Sequence, residues 1–126
     1  AFVGVETILP GQVEACTEGL VQVRVDGQSL EVVGEAAPGR QALVCLRPED
    51  VTIWRMAEIP ASSARNRLNG VVRMVQPQGA LVRVVVDCGR PITALVTRSS
   101  ARELGLSPGQ PVGVSFKASA AHLICR

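Results

Sequence analysis

The sequence predicts an all-β protein built from two tandem, small, five-stranded barrels, with one short helix in the second. Three observations predict this fold. The 126 residues include 20 Val, 11 Leu and 5 Ile but only 2% aromatic residues, so the core is aliphatic and rich in side chains that favour strands. Twelve Gly and eight Pro provide frequent turns. The chain also repeats itself at about half its length.

The first unit, residues 1–60, contains five segments that are apolar or alternate between apolar and polar residues. The segment from Val21 to Val25 alternates strictly, as a strand with one solvent-facing side does. Asp26-Gly27 follows it, and both residue types tolerate the positive φ of a two-residue hairpin turn. The predicted strands of this unit lie near residues 11–16, 20–25, 28–33, 41–46 and 50–54.

The second unit, residues 61–126, follows a small, polar linker over residues 60–67. Its helical signal is Ser100-x-x-Glu103, a capping-box spacing, after which Gly105 can end the helix in a left-handed conformation. The predicted strands of this unit lie near residues 69–76, 80–87, 91–97, 110–117 and 121–125.

Equivalent positions of the two units can be aligned. Residues 37–50 match residues 107–120 at a constant offset of 70. Pro-Gly falls on Pro-Gly, an alternating strand follows, and a basic residue, Arg47 or Lys117, ends it. The first strands also match, at an offset of 59. Two similar units are the simplest account.

Composition and charge exclude several classes of function. The formal net charge is only +2 and no run of basic residues occurs, which argues against a nucleic-acid partner. The scarcity of aromatic residues removes the stacking surface that single-strand binders use. No apolar stretch is long enough to span a bilayer, and residues 1–9 lack the features of a signal peptide. The chain starts without Met, which predicts a fragment.

The residues that metal sites and nucleophilic enzymes need are sparse. Four cysteines are spaced by 29, 43 and 37 residues with no C-x-x-C pair, and His122 is the only histidine. Neither a metal site nor a catalytic triad is expected, and free thiols in a reducing compartment are predicted. No phosphate-binding loop of the P-loop type occurs, so the chain itself is predicted not to be an enzyme. The cysteines are Cys16, Cys45, Cys88 and Cys125.

Three places in the second unit have the residues that bind a small tetrahedral anion. Ser63, Ala64 and Arg65 combine small-residue amides with a hydroxyl and a guanidinium, and a solvated linker is the alternative interpretation. Lys117 is the only lysine beside 12 arginines, and its compact ammonium suits a tetrahedral anion, with chance as the alternative. Thr97 ends a strand beside free helical amides, and simple helix capping is the alternative.

Ordered blocks of the second unit have the residues and spacing of a known module. They are Ser63-Ala64-Arg65-Asn66-x-Leu68-x-Gly70, Ala94-Leu95-Val96-Thr97-x-x-Ser100, Leu104-Gly105-Leu106-x-Pro108-Gly109 and Phe116-Lys117-Ala118-Ser119. Together they resemble the Mop module, a family that binds molybdate and tungstate, and the resemblance covers residues 62–126.

The first unit carries two further blocks, Phe2-Val3-Gly4-Val5-Glu6-Thr7-Ile8-Leu9-x-Gly11 and Leu46-Arg47-Pro48-Glu49-Asp50-Val51. These resemble the TOBE (transport-associated OB) domain of ABC-transporter ATPases. The two units together are similar to the C-terminal regulatory region of a molybdate/tungstate importer ATPase.

The resemblance implies OB-fold-like barrels and a molybdate or tungstate site at a subunit interface, with no metal and no covalent cofactor. It implies a homodimer or higher oligomer, the ABC ATPase domain of the same polypeptide as a partner, and indirect contact with the membrane permease subunit. The implied location is the cytoplasm, at the inner face of the cell membrane. The implied oxyanion-binding residues are Ser63, Ala64, Arg65, Thr97, Lys117, Ala118 and Ser119.

Three functions remain open at this point: a regulatory tail that binds oxyanion and restrains transport, a free-standing molybdate storage or buffering protein, and a structural TOBE tail that binds no anion. The start without Met and the Arg-Pro-Glu-Asp block favour the tail. The first unit departs from the anion-binding pattern, because Glu6 and Glu49 repel an anion and Pro48 has no amide to donate. A second, equivalent site is therefore not expected there.

Overall fold

The computed structural model describes residues 3–56 and 66–126. The predicted linker over residues 60–67 and the predicted boundary at residue 60 lie largely outside the described residues. The described residues form ten strands, a 3-10 turn at Pro48–Asp50 and one α-helix, α1, at Arg98–Leu104. The strands are β1 (Thr7–Thr17), β2 (Leu20–Val25), β3 (Gln28–Val33), β4 (Gln41–Leu46), β5 (Thr52–Arg55), β6 (Asn66–Gln78), β7 (Leu81–Asp87), β8 (Pro91–Thr97), β9 (Pro111–Phe116) and β10 (His122–Cys125).

The ten strands form two five-stranded sheets, and the last strand of each half of the chain pairs in the sheet of the other half. The first sheet has the order β10-β4-β1-β2-β3 and the second β5-β9-β6-β7-β8. Thus β5 pairs with β9, and β10 pairs with β4, both antiparallel. The predicted all-β fold of two five-stranded units with one helix is confirmed, although no ladder between described strands closes either sheet into a barrel.

The core is aliphatic and continuous through both halves, here called the first repeat (residues 3–56) and the second repeat (residues 66–126). Alternating side chains of each strand face it, as in β2, where Val21, Val23 and Val25 are buried between exposed polar residues. Of the described residues, Phe116 is the largest whose side chain is fully buried. Within the described residues, no helix has the length and apolar character that crossing a membrane requires.

The first strand of each repeat bends closely over the second. A Cβ at Gly11 would lie 2.5 Å from the Arg24 carbonyl oxygen, and one at Gly70 would lie 2.6 Å from the Asp87 carbonyl oxygen. Each strand also carries a bulge just after its glycine, between Val13 and Ala15 in β1 and at the matching place in β6. These strands start earlier than predicted, because their first residues pair with the ends of β4 and β9.

The predicted turns are present, with one correction. Asp26 and Gly27 join β2 to β3 with φ values of 48° and 81°, as predicted. Gly105 ends α1 in the left-handed conformation, also as predicted. The predicted capping box at Ser100 is wrong: the N-cap is Thr97, whose hydroxyl accepts from the Ser100 amide at 3.0 Å. Because β8 ends extended at Thr97, its hydroxyl already meets the first free helical amides.

Candidate functional site

Two segments carry the chain from one sheet to the other, and both were singled out from the sequence. The Arg47 crossover, residues 47–51, leads from β4 to β5, and the Lys117 crossover, residues 117–121, leads from β9 to β10. They are equivalent at the offset of 70. Each lies where the two sheets meet, so that residues of both repeats surround it.

The Lys117 crossover is a tight turn with unused donors. Lys117 is exposed, Ala118 is buried and Ser119 is exposed. The Ala120 amide donates to the Lys117 carbonyl at 3.0 Å, and the Ala118 carbonyl accepts from the Val33 amide at 3.1 Å. Among the described residues, the Ala118 and Ser119 amides donate to no carbonyl. A cation, two amides and a hydroxyl are therefore available for an anion.

The predicted Ser63-Ala64-Arg65 segment lies outside the described residues. Asn66, which follows it directly, is only 2% exposed and pairs with Phe116, the residue before Lys117. The Asn66 side chain accepts from the Glu31 amide at 2.7 Å and donates to the Glu31 carbonyl at 2.8 Å. The end of the β6–β9 ladder is thereby fixed against β3 of the first repeat.

Thr97 has different neighbours within the chain. Its hydroxyl also donates to the Ser100 hydroxyl at 3.0 Å. It lines a cavity of about 500 Å3 between β5, the 3-10 turn, β8 and α1, together with Trp54 and the acidic residues Glu49 and Glu103. None of Lys117, Ala118 and Ser119 lines this cavity. The predicted role as a helix cap is present, and no described contact brings Thr97 to the Lys117 crossover.

The internal symmetry explains this separation. Thr7 and Asn66 are equivalent at the offset of 59; the Thr7 hydroxyl accepts from the Thr93 amide at 3.0 Å, as the Asn66 side chain does from Glu31. Glu31 therefore corresponds to Thr93. Four residues further along the chain, Glu35 corresponds to Thr97. The Lys117 crossover contacts β3, the third strand of the first repeat, and Glu35 follows that strand. Thr97 instead ends β8, the third strand of the second repeat, which contacts the Arg47 crossover.

The charges of the two repeats are opposite, a signal that the net charge of the whole chain hides. The first repeat has four basic and eight acidic residues, a net charge of −4. The second has eight basic and two acidic residues, a net charge of +6. Counting charge separately for the two units would have found this from the sequence. The field of the second repeat favours anions at the Lys117 crossover.

Among the described residues, the cysteines form neither a disulfide nor a metal site. All four cysteines are free thiols. Burial, with a smaller effect of the nearby Asp87 carboxylate, raises the pKa of Cys88 to about 11, and burial also raises the pKa of Cys45, so these thiols stay protonated near neutral pH. Within residues 3–56 and 66–126, no group of His, Cys, Asp and Glu side chains has the arrangement of a metal site.

Comparison with known proteins matches residues 62–123 to the TOBE domain. The molybdate/tungstate import ATP-binding protein WtpC of Pyrococcus horikoshii is 37% identical over 123 residues, which are 97% of this chain and 33% of that protein. The molybdenum-pterin-binding protein MopA of Rhodobacter capsulatus is 34% identical over 90 residues, or 70% of this chain and 33% of that protein. The chain thus spans about a third of these relatives.

The fold is also similar to a solved structure. The cytoplasmic molybdate-binding protein ModG, in a crystal form with molybdate bound, superposes with a TM-score of 0.88 at 26% sequence identity. The similarity covers 96% of this chain and 96% of ModG, so both repeats have counterparts there.

Proposed function

The second repeat belongs to the TOBE domain family, and from this premise we propose that the chain is the regulatory tail of an ABC importer ATPase and binds molybdate or tungstate. The observation that carries the proposal is the Lys117 crossover, where a lone lysine and two unused amides lie in the repeat of charge +6. The molybdate-related names of the similar proteins supply the ligand class.

The chemistry of the crossover suits a tetrahedral dianion. Such an ion needs donors from several directions, and amides held in a turn provide them without any proton transfer. Hydrogen bonds to a charged group contribute about 1.5–3 kcal/mol each, so a handful gives micromolar binding after the cost of association. Molybdate and tungstate are larger than sulfate, so a site that fits their size binds sulfate more weakly. No catalytic residue is proposed for the chain itself.

We further propose that each complete site forms between two copies of the chain. The separation of Thr97 from the Lys117 crossover within one chain supports this, because the predicted set of Ser63, Ala64, Arg65, Thr97, Lys117, Ala118 and Ser119 then needs a second copy. Val33, which donates to Ala118, is 53% exposed and adds apolar area beside the crossover. A ligand held by both copies tightens their association and thereby reports oxyanion concentration to the transporter.

This proposal places the chain in the cytoplasm, beside the ATPase domain of the same polypeptide and, through it, the permease. A free-standing molybdate-binding protein is the second candidate, favoured by the near-complete mutual coverage with ModG. The length of the natural polypeptide distinguishes the two candidates. Immunoblotting of native extract tests this: a band about three times heavier than 13.3 kDa is expected for the tail, and one near 13.3 kDa for the free-standing protein.

Isothermal titration with molybdate, tungstate and sulfate at one ionic strength tests the ligand. Saturable heats with molybdate and tungstate, and none with sulfate over the same concentrations, are expected. Equal, weak heats with all three anions would leave only non-specific charge attraction and contradict the proposal. Light scattering with and without molybdate tests the shared site, and a strict monomer under both conditions overturns it.

A further inference from the structure

We propose that a groove beside α1 in the second repeat binds a second copy of the chain. The contacting part of that copy is the acidic turn between β1 and β2, together with the segment that follows β3. Arg98 and Arg102 of one copy then face Glu18 and Glu35 of the next. The inference names the contacting surfaces of the proposed shared site, so it rests on that proposed function.

The groove, here called the α1 groove, lies between the β6–β7 hairpin and α1 and has a volume of about 570 Å3. It has an apolar side, since Val75, Ala101 and Leu106 are half-buried and pack on the core. Arg98 and Arg102 also line it and are exposed, and none of the described residues around it is acidic. The α1 groove therefore suits a partner that offers negative charge and a small apolar contact.

The two guanidinium charges of the α1 groove are not neutralised within the chain. The Arg98 side chain donates to the Gly79 carbonyl, from Nε at 3.1 Å and from Nη2 at 2.7 Å, which holds the guanidinium in place but leaves its charge. Arg102 forms no side-chain hydrogen bond or ion pair with a described residue. An acidic partner therefore meets two cations that no described carboxylate pairs with.

The equivalent place in the first repeat, here called the acidic turn surface, has no helix. Residues 34–40 join β3 to β4 there, whereas residues 98–110 join β8 to β9. Cys16 of this surface is equivalent to Val75 at the offset of 59, and Ala36 is equivalent to Arg98 at the offset of 62. The lining residues are Cys16, Glu18, Gly19, Glu35, Ala36 and Ala37. The two surfaces therefore correspond in position and are opposite in charge.

The acidic turn surface presents its carboxylates on a narrow part of the molecule. Glu18 and Gly19 form the two-residue turn between β1 and β2, with φ values of 52° and 78°. Glu18 and Glu35 are exposed, and neither side chain forms a hydrogen bond or ion pair with a described residue. A two-residue turn is the narrowest end a hairpin has, so these carboxylates can approach the guanidiniums of a groove.

Contacts between the repeats within one chain already have this polarity. Glu6 of the first repeat pairs with Arg83 of the second, and Asp26 pairs with Arg90 at 2.6 Å. The turn at Glu18 is separated from Asp26 by the six residues of β2, or about 20 Å of strand. No described ion pair joins the acidic turn surface to the α1 groove of the same chain. A second copy carries both surfaces and is therefore the partner that fits.

The same contact brings together the parts of the proposed shared site. Thr97 directly precedes Arg98, at the start of α1. The Lys117 crossover contacts β3 at Val33, two residues before Glu35. Placing Arg98 of one copy against Glu35 of the next therefore brings Thr97 of the first copy toward the Lys117 crossover of the second.

Charge reversal tests the contact. Sedimentation of the full chain over a range of concentrations, without and with sodium molybdate, measures self-association at one ionic strength. Arg102→Glu and Glu35→Arg should each weaken it about tenfold or more. An equimolar mixture of the two variants should associate more tightly than either alone. The reason is that the unaltered α1 groove of Glu35→Arg can bind the unaltered acidic turn surface of Arg102→Glu. A general loss of stability does not produce this rescue.

Glu14→Arg is the matched control, because it makes the same change of charge as Glu35→Arg in the same repeat, but at a carboxylate outside both surfaces. Its self-association should stay within about twofold of the parent. Equal weakening by Glu14→Arg overturns the inference, and so does a mixture that associates no better than each variant alone. If Glu35→Arg does not fold, Glu18→Arg replaces it with the same expectation.

The parent protein separates the two levels of the proposal. A parent that stays monomeric with and without molybdate refutes the shared site, and the inference with it. A parent that associates while Arg102→Glu and Glu35→Arg associate equally well refutes the inference alone.

Discussion

The first and second repeats share one backbone plan and use it differently. In both, a long first strand passes closely over the second at a glycine. The side chain of its first residue accepts a hydrogen bond from the third strand of the other repeat. The first repeat nevertheless carries a charge of −4 and the second +6. The comparison shows that glycines and aliphatic positions specify the fold, while the crossovers and surface charges are free to acquire different roles.

The crossovers show the divergence most directly. In the first repeat, the Arg47 side chain is occupied: its Nε donates to the Val3 carbonyl at 2.7 Å, and its Nη1 lies 2.6 Å from His122 Nε2 on β10. In the second repeat, the side chain of the equivalent Lys117 is exposed and forms no hydrogen bond or ion pair with a described residue. One position therefore supports structure in the first repeat and is available for a ligand in the second.

The largest effect expected from this comparison is on stability, at Asn66 and Thr7, whose side chains form hydrogen bonds with the other repeat. Asn66→Ala leaves the half-buried amide and carbonyl of Glu31 without partners and should lower the free energy of unfolding by about 3 kcal/mol. Thr7→Val keeps the side-chain shape and leaves only the Thr93 amide unpaired, so a loss of about 1–2 kcal/mol is expected. Urea unfolding of both variants measures the difference. Equal losses would show that the second hydrogen bond of Asn66 has no net value.

A somewhat smaller effect, on binding, separates the two crossovers. Lys117→Ala should weaken molybdate binding by about 2 kcal/mol, because a charged donor facing a dianion is lost. Its melting temperature without ligand should barely change, since Lys117 is exposed.

Arg47→Ala is the matched control and should behave in the opposite way. Its melting temperature should fall, because the contacts with Val3 and His122 are lost. Its molybdate affinity should stay the same, since Pro48 offers no amide and Glu49 repels the ion. Titration and thermal unfolding of both variants check this. Full affinity in Lys117→Ala would show that the site has been assigned wrongly.

Much of the fold could be predicted because its strands and turns are specified by short segments of sequence. Alternation located the strands, and Asp26-Gly27 and Gly105 marked turns whose positive φ few residues adopt. The exchange of β5 and β10 has no local signal, because either sheet offers a suitable edge to an apolar strand. The cap of α1 was placed three residues late, because Ser100 and Thr97 are both good caps and only the end of β8 decides between them.

The candidate site was less predictable, for a physical reason. Lys117 and Thr97 were proposed from residue type, but their separation within one chain depends on which third strand each crossover meets. The contacts of Asn66 and Ala118 with β3 had no sequence signal, because they join residues that lie far apart in the chain.

The smallest effect concerns two equivalent ion pairs, in which the acidic and the basic residue have changed places between the first and second strands of the repeat. In the first repeat Glu14 on β1 pairs with Arg24 on β2 at 2.8 Å, and in the second Arg73 on β6 pairs with Asp87 on β7. The hydrogen bond from Arg24 lowers the pKa of Glu14 below 4.5. That from Arg73, helped by the Gly89 amide, lowers the pKa of Asp87 below 3.8.

Because both carboxyl pKa values are lower in the folded protein, their stabilising contribution is complete above the ordinary values and is lost as the pH falls through the folded values. Glu14→Gln and Asp87→Asn should each flatten the loss of unfolding free energy between about pH 6 and about pH 3. The effect should shrink in about 1 M NaCl, because Arg24 and Arg73 are 54% and 67% exposed and salt screens such pairs. Urea unfolding across this pH range measures it. A variant whose curve runs parallel to that of the parent would show that its ion pair contributes nothing, and a difference between the two variants would show whether the backbone donor of Asp87 matters.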